Sequence, residues 1–169
     1  MRHIAALACA ALLCGPALAQ SPAAKSVPDY AVIAMSIDVD RPATQAWAKI
    51  GKYCDLGAWL KIDCTITQGT GDIGSVRSIA GGRVTEVLVA RTDLSYGYTQ
   101  PAVAGKPYDL YHGFLEARPL SAARTRLIYT LLYDVSLAGD QAARDTDKAR
   151  RRALFEGALR NMKAMAEAK

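Results

Sequence analysis

The stretch from Asp63 to Ser136 leaves this chain few folds to choose from. Six strand-like runs, 63–68, 75–80, 83–91, 94–100, 108–118 and 124–136, follow one another with only short connections between them. Gly81-Gly82 marks one turn, Pro101, Gly105 and Pro107 a loop, and Pro119 to Ala123 another. Strands joined this closely pair antiparallel, because a parallel neighbour needs a crossover of a dozen or more residues. One long helix signal follows at 140–167, where Leu154, Phe155, Ala158, Leu159, Met162 and Met165 fall on one stripe. A sheet has to cover its apolar face, and this helix is the one element large enough to do it. The expected class is α+β, an antiparallel sheet of about seven strands curved around a C-terminal helix.

The seventh strand comes from upstream. Tyr30 to Val39, "YAVIAMSIDV", has strand composition, and Asp40-Arg41-Pro42 then reads as the start of a helix with proline in its first turn. Ala43, Trp47 and Ile50 share a face of that helix, and 53–60, "YCDLGAWL", is a second short helix or turn. There is no internal repeat and no second linker, so residues 30–169 are expected to form a single domain.

The first residues address compartment. Arg2 and His3 precede the apolar run Ile4 to Leu13, Gly15-Pro16 breaks it, and Ala17-Leu18-Ala19 supplies small residues for cleavage. This is the three-part pattern of a secretory signal peptide over 1–19, with an apolar run too short to remain as a membrane span. Leu13 is too bulky to make Cys14 a good lipoprotein site. Residues 20–29 then read as a flexible leader, and the expected location is periplasmic or secreted. Cleavage would remove Cys9, Cys14, His3 and the charge of Arg2, taking the net charge from +5 to +4 (5 − 1). Cys54 and Cys64 remain as an even pair, and His112 as the sole histidine. In an exported chain that pair is read as a disulfide, worth about 2–3 kcal/mol for so short a loop.

Several function classes are excluded. Gly69, Gly71 and Gly74 match the G-x-G-x-x-G spacing of a dinucleotide loop, but another strand-like run and Gly81-Gly82 follow, with no room for a helix. The glycines are read as turn residues. The basic run Lys148 to Arg152 sits among Asp140, Asp145, Asp147 and Glu156 without interleaved aromatics, a solvated helix face rather than a nucleic-acid patch. No His-x-x-x-His, Cys-x-x-Cys or Gly-x-Ser-x-Gly is present, and no metal or cofactor is expected.

The order β-α-α-β6-α, with "IDVDRPATQAWAKI", the "GDIGSVRSI" hairpin, the "LSYGY" strand and the terminal helix, resembles the START-like, helix-grip superfamily (SRPBCC), in its bacterial polyketide cyclase/dehydrase branch. The resemblance runs from Tyr30 to Ala168 and rests on the ordered set of elements. It implies a hydrophobic ligand pocket between the sheet and the last helix, with a Cys54–Cys64 bridge near its mouth. It also implies that Tyr96 and Tyr98, two apart on one strand, turn inward. It does not imply a reaction.

The expected ligand-binding residues are Tyr96, Tyr98, His112, Tyr129, Tyr133 and Ile79 from the sheet, with Leu154, Ala158 and Met162 from the helix. Aromatic residues on a sheet are also ordinary core packing, so both readings stand. His112 shares strand parity with Tyr108, Leu110 and Phe114, and Tyr111 points the other way. Arg77, on parity with Ser75 and Ile79, is read as projecting into solvent, the alternative being a pocket-rim partner for a carboxylate; Glu86 in the next strand could be its cross-hairpin partner, in a structural role. The leading function is an exported, monomeric carrier or sensor of a hydrophobic small molecule or lipid, with no nucleic-acid partner and no integral membrane segment after cleavage. The alternative is a cyclase/dehydratase-like enzyme with His112 as general base and Tyr96 or Tyr98 steadying an enolate. A filled-core protein without a ligand is the third possibility.

Overall fold

Pairing between the first strand and the last places the first at one edge of the open sheet in the computed structural model, which describes residues 29–103 and 110–169. The signal segment, nearly all of the leader, Gly105, Pro107 and Tyr108 lie outside the described residues. The elements in chain order are β1 (Tyr30–Val39), α1 (Ala43–Ile50), α2 (Leu56–Leu60), β2 (Cys64–Gln68) and β3 (Val76–Ile79). They continue with β4 (Val84–Thr92), β5 (Ser95–Thr99), β6 (Tyr111–Ser121), β7 (Arg124–Asp134) and α3 (Gln141–Glu167). The seven strands form one antiparallel sheet in the order β1-β7-β6-β5-β4-β3-β2.

Period-2 patterning decides which side of each strand is covered. Ala31, Ile33 and Met35 of β1 are buried in alternation, as are Thr125, Leu127, Tyr129, Leu131 and Tyr133 of β7. The Asp140 side chain accepts a hydrogen bond from the Ala143 N–H at 2.9 Å, an N-cap for α3. Gly69, Gly71 and Gly74 have φ of +81°, +96° and +86° in the β2–β3 connection, and a strand follows them. Their conformation meets the turn reading of the sequence.

The helix stripe is rotated from the expected one. Phe155, Ala158, Leu159, Met162 and Ala166 are buried, Met165 is half-buried, and Leu154 is 54% exposed. At about 100° per residue, Leu154 lies roughly a quarter-turn from the centre of the buried arc. The expectation that Leu154 faces the sheet is therefore corrected: only Ala158 and Met162 of the three helical candidates do so. Strand β6 also runs further than expected at its C-terminal end, through Pro119 to Ser121, while 108 and 109 of the expected run lie outside the described residues. A register shift between Pro119 and Ser121 lets the proline sit beside the tight turn to β7.

Candidate functional site

The β3–β4 hairpin builds the centre of the site. Ser75, Arg77 and Ile79 alternate onto the buried face, and register sets Arg77 directly opposite Glu86. Arg77 Nε donates to Glu86 Oε2 at 2.7 Å, and Nη2 lies 2.5 Å from the same oxygen. Arg77 Nη1 donates to the Tyr53 carbonyl on the α1–α2 connection. The guanidinium is 4.1 Å from the Tyr53 ring centroid, 4.9 Å from Tyr98 and 5.8 Å from Tyr96. Arg77 is 0% exposed, which corrects the solvent-facing reading: its strand parity is as expected, but the face is the inner one. A buried guanidinium is tolerated because a carboxylate, a carbonyl and π faces surround it.

Electrostatics follow from this geometry. Burial alone disfavours the charged guanidinium, but Glu86 and the phenols around it more than offset that, and the Arg77 pKa ends above its ordinary value. Burial raises the pKa of Tyr53, Tyr96, Tyr98 and Tyr129, against the pull of Arg77. All four phenols therefore stay protonated at neutral pH, as hydrogen-bond donors rather than bases.

An aromatic belt carries the site from the connection to the helix. The Tyr53 and Trp47 rings each lie 5.8 Å from that of Tyr96. The Tyr98 and Tyr129 hydroxyls are hydrogen-bonded at 2.8 Å. Tyr129 continues to Trp59 at 6.1 Å and to Phe155 of α3 at 4.5 Å. Tyr98 lies flat over Gly113 on the neighbouring strand, where a Cβ would stand 2.3 Å from its Oη. The hydroxyl of Tyr53 and the indole Nε1 of Trp59 are buried without a hydrogen-bond partner among the described residues, and the Tyr96 hydroxyl lies beside Arg77 without one of sound geometry.

His112 is placed elsewhere. Register pairs it with Thr99 and Leu132, whereas Tyr98 is paired with Gly113, so His112 lies on the opposite face of the sheet from Tyr96 and Tyr98. It neighbours Phe114, with rings 6.3 Å apart. The expected parity of His112 with Phe114 holds, but Tyr111 is the inward residue. Tyr133 belongs to a second cluster, in which Arg151 stacks 4.4 Å over Tyr133 and 5.1 Å over Tyr111 and donates to Asp147 at 2.7 Å. Ile79 is buried beside the hairpin centre. The sequence reading missed Tyr53, Trp59 and Gly113; only the juxtaposition of Gly113 with the tyrosine strand offered a signal.

Two clefts flank the buried pair. One of about 240 Å³ is lined by Lys52, Tyr53, Cys54, Ile66, Thr70, Gly71 and Arg91. The other, about 220 Å³, includes Val84 and Gln100, whose Nε2 donates to Glu86 Oε1 at 3.0 Å. Cys54 and Cys64 form a disulfide with Cα atoms 5.6 Å apart, within the ordinary range for such bridges. Among the described residues no cluster of three or more His, Cys, Asp or Glu forms a metal site, and no helix is long and apolar enough to cross a membrane.

A seven-stranded antiparallel sheet holding one long C-terminal helix, with a polar centre buried on its inner face, is the helix-grip fold. The chain belongs to the polyketide cyclase / dehydrase and lipid transport family, whose model matches residues 30–167. Among solved structures, the Zhui aromatase/cyclase from Streptomyces sp. R1128 is 18% identical, with a TM-score of 0.67 over 82% of this chain and 94% of that one. A solution structure from Thermobifida fusca is 20% identical, with a TM-score of 0.66 over 78% and 90%. Ara h 8.0201 is 13% identical, with a TM-score of 0.58 over 80% and 99%. No curated protein matches the chain.

Proposed function

We propose that the protein is an exported carrier or sensor of a neutral, mainly hydrophobic small molecule that bears a carbonyl or hydroxyl oxygen. The observation that carries this is the pair of unpartnered donors, Tyr53 Oη and Trp59 Nε1, inside the aromatic belt around Arg77. A buried donor without an acceptor costs about 1–3 kcal/mol, which an oxygen of the ligand would recover. Arg77 is already neutralised by Glu86, so a carboxylate or sulfonate would bring an uncompensated charge into the interior. Hydrophobic burial supplies the bulk of the affinity, at about 0.8 kcal/mol per methylene. The signal pattern at 1–19 and the Cys54–Cys64 bridge support a location outside the cytoplasm, and one copy supplies every residue of the site.

The cyclase-like alternative is less well supported. His112 sits across the sheet from the tyrosines, and the phenols that surround Arg77 remain protonated. The Glu86 carboxylate, described at this centre, is engaged by Arg77 and Gln100, which leaves the alternative without a free general base among these residues.

Titration with two fluorescent probes tests the reading. Nile red is neutral and carries a carbonyl; anilinonaphthalene sulfonate is anionic. Nile red is expected to bind more tightly, with Trp59→Phe and Tyr53→Phe each weakening it by about 3–10-fold, one hydrogen bond's worth. His112→Ala should leave it unchanged. Equal or better binding of the sulfonate, or insensitivity to both Trp59→Phe and Tyr53→Phe, would refute the proposal.

A further inference from the structure

The segment Gly51–Asp55, between α1 and α2, closes the outer side of the Arg77–Glu86 pair. Among the described residues its hydrogen bonds stay within the segment and its flanking helices, with one exception. Lys52 N–H donates to Asp55 Oδ2 at 2.8 Å, Asp55 N–H to the Lys52 carbonyl at 2.9 Å, Gly51 N–H to Trp47 and Gly57 N–H to Cys54. The exception is the Tyr53 carbonyl, which accepts from Arg77 of β3. The other firm tie to the sheet is covalent, from Cys54 to Cys64 at the start of β2. Strand β2 pairs with β3 so that Ile66 stands opposite Arg77 and Cys64 opposite Ile79. The bridge thus pins Tyr53 over the guanidinium from a residue next along the same sheet edge.

Immediately outside lies the 240 Å³ cleft, and Tyr53, Cys54 and Ile66 are its wall toward Arg77. Drug-sized ligands occupy about 300–1,000 Å³. The cleft alone is below that range, so a molecule reaching the pair from this side needs the Tyr53 wall to move. Both cysteines are part-exposed, within reach of a thiol at the surface.

We propose that Gly51–Asp55 is a strap across the buried ion pair and that the Cys54–Cys64 disulfide locks it shut. A dithiol reductant opens it: the two thiols of the reductant are oxidised to a disulfide, and Cys54 and Cys64 take up the two electrons and two protons as free thiols. The strap then keeps a single hydrogen bond to the sheet, through the Tyr53 carbonyl, and its local opening joins the cleft to Arg77. This deepens the binding reading by giving the site a redox-controlled port on the α1–α2 side. The experiment below reads access to Arg77 itself, so its outcome is independent of whether any ligand binds there.

Phenylglyoxal modifies accessible guanidinium groups, and peptide mass spectrometry resolves each arginine. In the oxidised protein Arg77 should be protected while exposed Arg124 reacts. In protein reduced with dithiothreitol, and in a Cys54→Ser/Cys64→Ser variant, Arg77 should react at least about tenfold faster, as expected for local opening, with Arg124 unchanged. Tyr53→Ala should give the same exposure with the disulfide intact. Continued protection of Arg77 in all three would overturn the proposal. So would exposure accompanied by loss of the near-ultraviolet circular dichroism of the tyrosines and tryptophans, because the bridge would then be a staple for the whole fold.

Discussion

Replacing Glu86 with Leu leaves the Arg77 guanidinium fully buried with one remaining acceptor among the described residues, the Tyr53 carbonyl. Removing one partner of a buried ion pair costs about 3–5 kcal/mol, and the same range applies to Arg77→Met, which leaves Glu86, among the described residues, with the Gln100 amide as its hydrogen-bond partner. Summed, the two changes would cost about 6–10 kcal/mol, comparable to the whole stability of a domain this size. The double variant should do nothing of the kind. Met and Leu fill similar volume, bring no charge into the interior, and pair apolar side chains at directly opposed positions of the hairpin. Replacement of a buried ion pair by apolar residues is typically neutral or stabilising by about 1–4 kcal/mol. Urea unfolding of the four proteins should thus yield a coupling energy of at least about 5 kcal/mol, with the midpoint of the double variant at or above that of the parent. The cation–π contacts of Tyr53 and Tyr98 subtract from that gain, at up to about 2 kcal/mol for a desolvated contact. If single and double variants all lose less than about 1 kcal/mol, Arg77 is not held by charge pairing and the neutral-interior argument for the ligand fails with it.

Two further outcomes follow from the geometry. Gly113→Ala puts a methyl 2.3 Å from the Tyr98 Cζ and Oη, so Tyr98 has to leave its place and the hydroxyl bond to Tyr129 with it; a loss of about 1–3 kcal/mol in urea unfolding is expected, and an unchanged midpoint counts against the packing described. Burial, and then Asp147, push the Tyr133 pKa up to about 12 in the folded protein, against 10 for a free phenol. Because the folded-state value is the higher one, the contribution of Tyr133 to stability is intact below pH 10 and is lost as pH rises through about 12. Melting temperature and tyrosinate absorbance followed together over that window, with Tyr133→Phe as the control, should show a larger loss in the parent than in the variant, which keeps the other buried tyrosines; an equal fall in both proteins removes the claim.

Local period and turn chemistry made the elements legible, and they left the choice of face undetermined. The strand runs, the capped terminal helix and the positive-φ glycines of the β2–β3 turn all follow from short-range rules. So does the opposition of Arg77 and Glu86, which a hairpin across Gly81-Gly82 forces. Parity, however, sorts a strand into two sets without saying which is covered. In β6 both sets look apolar: His112 and Phe114 on one side, Tyr111, Leu115 and Ala117 on the other. The set that includes Gly113 lies inward because the Tyr98 ring needs the space over a residue without a side chain. That is a relation between two strands, invisible in either one alone. Leu154 was misplaced for the analogous reason: the stripe has an arc, and only packing against the sheet fixes its centre.

Arg77 shows the same principle acting on charge. On a short strand an arginine reads as solvent-facing, since isolated burial of a guanidinium is prohibitive. What reverses this is an assembly from three other places in the chain: Glu86 from the opposite strand, the Tyr53 carbonyl and ring from a connection without periodicity, and the Tyr96 and Tyr98 rings from β5. Each contributor is unremarkable in sequence, and the cage exists only once the sheet is assembled. The same cage limits what the site can do. With its one cation matched by one carboxylate and its phenols held protonated by burial, it can donate hydrogen bonds to a neutral oxygen far more readily than it can accept a proton or receive an anion. For the proposed ligand, the neutral cage, set on the face away from His112, favours an uncharged molecule over an anion.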